Sequence, residues 1–228
     1  MVSPAVQPEW DTNVGTMKTL VKILIAFVVL AGLGWLFVRS AQNVRSEPYE
    51  IARGRLTGWT LALDPAANAS GVLLGLQPDK MTAATLFSQV FSRTGESMSG
   101  PVPAALPLVL QSEFDRARAG TLTAEALLAS ARAAALESSA FAPRCMAHRR
   151  ISEPGITRQV YFLRFDWPVF DAFRRQIAQQ MRAAGGTGID PAALSPLMIV
   201  AATDSDFRRW LPLAAETADD CLAPMVIK

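Results

Sequence analysis

The sequence predicts an α+β protein, with a mixed, largely antiparallel sheet, helices packed on it and one N-terminal transmembrane helix before it. Three observations lead to this prediction. One uncharged apolar run, Ile23–Val38, is framed by basic residues. After it, segments with strand and helix periodicity alternate irregularly, in the order βββ-α-β-α-ββ-α-β-α-β. Two strand-like segments, Cys145–Ile151 and Ile156–Phe165, flank a Pro-Gly pair that is typical of a tight turn and so indicate a hairpin.

The apolar run predicts a membrane anchor. Extended back across Lys22 to Val21 and Leu20 it reaches nineteen residues, close to the ~20 that a helix needs to cross a bilayer core. The apolar region of a secretory signal is shorter, typically ~7–15 residues, and ends in small residues. We therefore expect an uncleaved anchor, with cleavage after Ser40 as the alternative.

This anchor divides the chain into four parts. A short tail, 1–18, precedes the anchor at 19–39, and translation starts at either Met1 or Met17. The polar segment 40–50 is expected to be a linker, and 51–228 the folded domain.

The two cysteines bear on which side of the membrane the domain lies. Basic residues are more numerous after the run than before it, which alone would favour a cytoplasmic domain, but long domains translocate largely regardless of charge. An even cysteine count, Cys145 and Cys221, permits one disulfide in an oxidising compartment. We expect this disulfide, and a domain in the periplasm of a bacterial inner membrane. Two unrelated buried thiols in a cytosolic domain are the alternative.

The first half of the domain is expected to begin with three short strands and a helix. Tyr49–Arg55, Gly58–Leu63 and Gly71–Leu76 have β-type patterns and predict an antiparallel meander. Asp79 can cap a helix that runs to about Arg93, with Gly95 as its stop signal. These predictions are followed by a strand at Leu106–Leu110 and a helix that is capped by Thr121 or Thr123 and reaches about Ser138.

The second half is expected to contain the hairpin and a long amphipathic helix. The second hairpin strand is apolar on both faces and is predicted to be central in the sheet. Asp166 is predicted to cap the following helix. Its buried stripe comprises Phe170, Phe173, Ile177 and Met181, whereas Arg174, Arg175 and Arg182 are predicted to face away. A strand at Leu197–Ala202, a short helix at Asp204–Leu211 and a strand at Leu222–Ile227 complete the domain.

The sequence has few residues arranged for catalysis. His148 is the only histidine, and strand alternation places it opposite in phase to Cys145, which disfavours a Cys–His nucleophile. Ser97 lies in a Gly-x-Ser-x-x-Gly segment that resembles a nucleophile elbow only loosely. The pairs Asp204/Asp206 and Asp219/Asp220 are interpreted as caps and solvated charges. We therefore expect no catalytic set, no metal site and no cofactor.

The expected function is that of an accessory or scaffold subunit of an integral-membrane or periplasmic complex. Gly32 and Gly34 could let another membrane helix approach closely, and Trp59 and Trp210 are candidate partner contacts. The lipid bilayer is the other expected partner. A net charge of only +2 without a basic block gives no electrostatic case for nucleic acid, so we expect no nucleic-acid partner. The alternatives are a tethered hydrolase that uses Ser97 or His148 and a small-molecule sensor or carrier domain.

Overall fold

The structure is a computed structural model that describes residues 12–65, 70–117, 122–211 and 221–228. Its contacts divide the chain into two units, Met1–Val44 and Arg45–Lys228. Helix α1 spans Thr12–Ser46, and its side chains are described at 21–36, 38 and 46. Residues 40–46 of the expected linker therefore continue this helix. Among the described residues, no helix is both long and apolar enough to cross a membrane.

The second unit is an α+β domain with two sheets. The larger sheet has the strand order β1-β8-β5-β6-β7 and the smaller one β2-β3-β4. The strands are β1 (Tyr49–Ile51), β2 (Thr60–Leu63), β3 (Val72–Gln77), β4 (Leu106–Leu110), β5 (Ala142–Glu153), β6 (Ile156–Asp166), β7 (Leu197–Ala202) and β8 (Cys221–Ile227). The helices are α2 (Lys80–Thr94), α3 (Gln111–Ala117), α4 (Ala124–Ala133) and α5 (Pro168–Ala183). The predicted α+β class is confirmed.

The hairpin formed by β5 and β6 agrees with the sequence pattern. β5 and β6 pair antiparallel up to Glu153 and Ile156, so the loop is Pro154-Gly155. Gly155 has φ +80°, as a type II turn requires at its third residue. β6 lies between β5 and β7 and is central in its sheet.

The first predicted strand does not join a meander. Only β2 and β3 pair as expected, whereas β1 ends at Ile51 and pairs parallel to β8 at the other end of the chain. A 3₁₀ turn at Arg53–Leu56 follows and turns the chain into the second sheet. Sequence patterns report local periodicity only. The pairing of β1 with β8 joins distant parts of the chain and could therefore not be predicted from them.

Three helices differ from the prediction. α4 is capped by Thr123 and ends at Ala133, and a separate 3₁₀ turn occupies Leu136–Ser138. Asp166 does not cap α5, because it remains in β6 and Trp167 holds the cap position without a side-chain hydrogen bond. The short helix α3 was not predicted.

The buried stripe of α5 is as expected, but Arg174 is not at the surface. Its guanidinium is fully buried and forms two hydrogen bonds to Glu113 of α3, at 2.7 and 3.2 Å. It also donates to the carbonyls of Leu108, Asp190 and Pro191. All five donors of the guanidinium therefore have acceptors, which is the condition under which a charge can be buried.

Candidate functional site

Helix α2 forms one wall of a groove on the domain surface. The Asp79 side chain accepts a hydrogen bond from the Met81 amide at 3.2 Å and so caps the first turn. Gly95 ends the helix with φ +63°, the left-handed conformation that glycine adopts readily. Thr82, Leu86 and Val90 turn inward and are buried in the core. Asp79 and Gly95 thus define the two ends of this helix.

The outward face of α2 is apolar, although it lies at the surface. We define this face as Met81, Ala84, Phe87 and Phe91, which are spaced by three or four residues. Met81 is 54% exposed and Phe91 50% exposed. Phe87 is half-buried and stacks on Phe91 with ring centroids 6.3 Å apart. A surface helix normally turns polar residues outward, so α2 is apolar on two faces.

The opposite wall is the loop Gly100–Ala104, which is held against β7. Ser99 and Ala202 exchange two backbone hydrogen bonds of 2.8 Å just before this loop. A Cβ on Gly100 would lie 2.9 Å from the Val200 carbonyl oxygen, so only glycine fits here without a shift. Val102 projects from the loop and is 90% exposed. The loop is therefore pinned at its base while its apolar tip faces solvent.

Between these walls lies a groove of about 750 Å³, which we call the α2 groove. Most of its lining is apolar, from residues of α2, the loop and β7: Ala83, Ala84, Phe87, Gly100, Pro101, Val102, Pro103, Ala104 and Val200. Its polar end is formed by Gln77, Asp79 and Lys80. Its size lies in the range of ligand sites, roughly 300–1,000 Å³.

The charge at this polar end is positive. Asp79 is paired with Arg55 and also caps α2, so its carboxylate is engaged inside the domain. Lys80 is exposed and, among the described residues, has no ion-pair partner. The groove therefore offers an apolar surface with one cation available at its end.

All four outer strands of the two sheets have edge groups that are already bonded. Gln89 bonds the amide and the carbonyl of Glu50 in β1, at 2.9 and 2.8 Å. Glu137 accepts from the Leu61 amide of β2 at 2.7 Å. In β4 the Leu110 amide donates to Glu113 and the Leu108 carbonyl accepts from Arg174, and in β7 Ala202 bonds to Ser99. These particular edge groups are not available to a partner strand.

The disulfide predicted from the cysteine pair is present. Cys145 of β5 and Cys221 of β8 are bonded, with their Cα atoms 5.7 Å apart. A Cys145 nucleophile is therefore excluded in this state.

The two tryptophans expected to contact a partner are in the core. Trp59 is 2% exposed and makes edge-to-face contacts with Phe141 and Phe165. Trp210 is 1% exposed and its indole NH donates to Asp204 at 3.3 Å. Their burial leaves almost no ring surface for a partner, so we assign both to core packing and place the candidate contacts in the α2 groove.

His148 and Glu96 are linked by hydrogen bonds to the side chain of Gln159. Neither residue lines the α2 groove. Gln159 donates from Nε2 to Glu96 at 3.0 Å, so its Oε1 faces His148 Nε2 at 2.9 Å. The carboxylate can only accept, so this orientation makes His148 Nε2 the donor. Ser97, beside Glu96, is exposed. The arrangement orients the histidine on the hairpin and brings no described nucleophile to it.

The acidic pairs form no metal centre in the described residues. Asp204 accepts from Arg158, Trp210 and the Asp206 amide, so its oxygens are engaged inside the domain. Asp219 and Asp220 lie outside the described residues. No group of three or more metal-ligating side chains occurs in the part that the structure describes.

Sequence reasoning missed the α2 groove, although a signal was present. The sequence prediction gave this segment as a helix without separating its faces. Phe87 and Phe91 each lie ~100° around the helix from Leu86 and Val90. The two phenylalanines are therefore at the flank of the buried face, where part of an apolar side chain can remain uncovered.

Comparisons of the chain with family models, with curated proteins and with solved structures gave no match. The fold and the site therefore define the class by themselves: a disulfide-bonded α+β domain with an apolar groove beside α2.

Proposed function

We propose that this protein is a single-pass, membrane-anchored accessory subunit whose domain binds another component of a bacterial membrane or envelope complex. The observation that carries the binding role is the apolar outward face of α2 beside the α2 groove. Contiguous exposed apolar surface of this kind marks interaction sites in soluble domains. Water contact with such side chains is unfavourable by ~25 cal/mol per Å², so a partner that covers them gains stability.

The apolar run in α1 supports the anchor. Its nineteen residues from Leu20 to Val38 carry one charge, Lys22, only two positions from the start. The described large side chains are about half to three-quarters exposed, as at Phe27. A bilayer would cover them. No atom lies within 4 Å of the Cβ position of Gly32 or Gly34, so another helix could approach there.

The disulfide supports placement of the domain outside the cytoplasm. Structural disulfides persist in oxidising compartments such as the periplasm and are rare in the cytosol. On this proposal the protein lies in the inner membrane with residues 40–228 on the periplasmic side. Attachment to the membrane raises the effective concentration at the partner, so a modest interface suffices.

Two measurements test the proposal. A reporter that is active only in the periplasm, fused after Lys228, should be active, whereas a cytoplasm-only reporter should not. The protein extracted in mild detergent should co-migrate with at least one other membrane or periplasmic protein. His148→Ala and Ser97→Ala should leave this assembly intact. A domain found in the cytoplasm, or a protein that runs alone and loses a hydrolytic activity in either variant, would refute it.

A carrier of small molecules is the second candidate, because the groove volume is within the ligand range. Native mass spectrometry of the full chain separates the two. A retained apolar compound, released when Phe87→Glu is introduced, would favour the carrier.

A further inference from the structure

We infer that the domain is built from two modules of one topology, and that the helix of each module holds the last strand of the other. The first module, residues 60–110, comprises β2, β3, α2 and β4, and the second, residues 142–202, comprises β5, β6, α5 and β7. In each, two antiparallel strands are followed by a helix and by a third strand that pairs antiparallel with the second. This coupling goes beyond the proposed function, because it does not depend on a partner.

The two modules agree in register as well as in topology. Val72 of β3 is opposite Leu110 of β4. Val160 of β6, 88 residues after Val72, is opposite Ala202 of β7. An offset of 88 residues also relates three buried positions in each of the two helices. These are Thr82, Leu86 and Val90 in α2 and Phe170, Arg174 and Ala178 in α5. One offset that holds in both a strand and a helix is the pattern of an internal repeat.

The helix of the first module holds the end of β7. α2 contacts this strand, and the segment that follows α2 lies between them. The Cβ position of Gly100 is 2.9 Å from the Val200 carbonyl oxygen and 3.3 Å from the ring of Phe87. Just before it, the Ser99 carbonyl accepts a hydrogen bond of 2.8 Å from the amide of Ala202, the last residue of β7. β7 is an edge strand, so this amide depends on a segment that α2 supports.

The helix of the second module holds the end of β4. Arg174 of α5 donates to the Leu108 carbonyl of β4 at 3.0 Å. The same guanidinium holds Glu113 at 2.7 Å, and this carboxylate accepts from the amide of Leu110, the last residue of β4, at 3.1 Å. β4 is also an edge strand. The amide at the end of the last strand is therefore bonded, in each module, to a group that the helix of the other module positions.

Each helix should therefore open together with the last strand of the other module. Native proteins open locally in cooperative pieces, and the amides of one piece exchange with solvent together. If α2 unfolds transiently, the segment at Ser99 loses its support and the Ala202 amide is released. If α5 unfolds, Arg174 leaves Glu113 and the Leu110 amide is released. The pieces that open thus cross between the modules and do not coincide with them.

Hydrogen exchange of the full chain, resolved to single amides, tests this coupling. Ala84→Gly in α2 and Ala172→Gly in α5 are a matched pair, since both alanines are exposed and hold the fifth position of their helix. Glycine in a helix interior favours opening, so Ala84→Gly should speed exchange at Ala202 about five-fold and leave Leu110 unchanged. Ala172→Gly should speed exchange at Leu110 about five-fold and leave Ala202 unchanged.

Any other pattern overturns the coupling. Faster exchange at the strand end of the altered module itself would show that each module opens as one piece. Equal acceleration at both strand ends in both variants would show a single cooperative unfolding. Faster exchange within the altered helix alone would show that helix and strand open independently. If glycine changes exchange in neither helix, Ser88→Pro and Gln176→Pro, which are also exposed and 88 residues apart, break the helices outright. The same crossed pattern is then required of these two variants.

Discussion

The buried pair formed by Arg174 and Glu113 makes the sharpest stability prediction. Arg174→Met keeps an unbranched apolar stem but removes the guanidinium and with it all five donors. Glu113 is then left as a buried carboxylate without its cation. The two hydrogen bonds between Glu113 and the guanidinium are lost. Only the bond that the Leu110 amide donates to Glu113, at 3.1 Å, remains.

The expected cost is large relative to the stability of a domain. Removal of one member of a buried ion pair destabilises by about 3–5 kcal/mol, whereas a domain is stable by roughly 5–15 kcal/mol in total. For a chain of this size, 1 kcal/mol lowers the melting temperature by about 2–4 °C. Arg174→Met should therefore melt at least about 6 °C below the native protein.

The assay is thermal unfolding of the full chain under non-reducing conditions. Arg175→Met is the matched control, because the neighbouring residue is exposed on the same helix and should change stability by less than about 0.5 kcal/mol. Arg174→Met combined with Glu113→Leu should be less destabilised than the sum of the two single variants, since no unpaired charge remains. The reasoning is refuted if Arg174→Met and Arg175→Met melt at the same temperature.

Three further outcomes are expected from single changes. Cys145→Ser opens a loop of 76 residues and should cost about 4 kcal/mol in the chain-entropy model; two alkylatable thiols in the native, non-reduced protein would contradict this. Gln89→Leu should remove the side-chain bonds to Glu50 and speed hydrogen exchange at the Glu50 amide; an unchanged exchange rate would show that this bond does not protect the amide. Gly100→Ala should destabilise the domain by about 1–3 kcal/mol. Gly54→Ala should not, because there is open space around Gly54; equal melting temperatures of the two variants would show that the loop at Gly100 shifts without cost.

Local signals were sufficient for much of the fold. Asp79 and Gly95 bounded α2 because a cap is a property of a few adjacent residues. The Pro154-Gly155 turn set the hairpin register in the same way. The disulfide was predicted from the even number of cysteines rather than from geometry.

Non-local features were not available from one sequence. Arg174 was expected at the surface because it is charged, and its partner Glu113 is 61 residues away in a helix that was not predicted. On a helical wheel, position 174 lies only ~40° from Phe170, at the flank of the buried stripe. Burial there depended on whether a counterion and three carbonyls would converge, and periodicity carries no information about that.

The candidate site depended on a similar convergence. Each wall alone is ordinary: a capped helix and a loop rich in proline. The groove exists because Ser99 and Gly100 bring the loop against β7, opposite α2. Its function could not be read from motifs, since the surface consists of apolar side chains without a catalytic pattern.

Helix α2 also holds the segment by which the chain enters the domain. Arg93 donates to the Glu47 and Pro48 carbonyls and lies 4.0 Å over the Tyr49 ring. Gln89 holds Glu50 on the same side of the helix. Phe91 lies between these two residues in sequence and points outward, toward the proposed partner. These contacts tie residues 47–50 to the same helix that lines the α2 groove, and they do so at its surface rather than through the core.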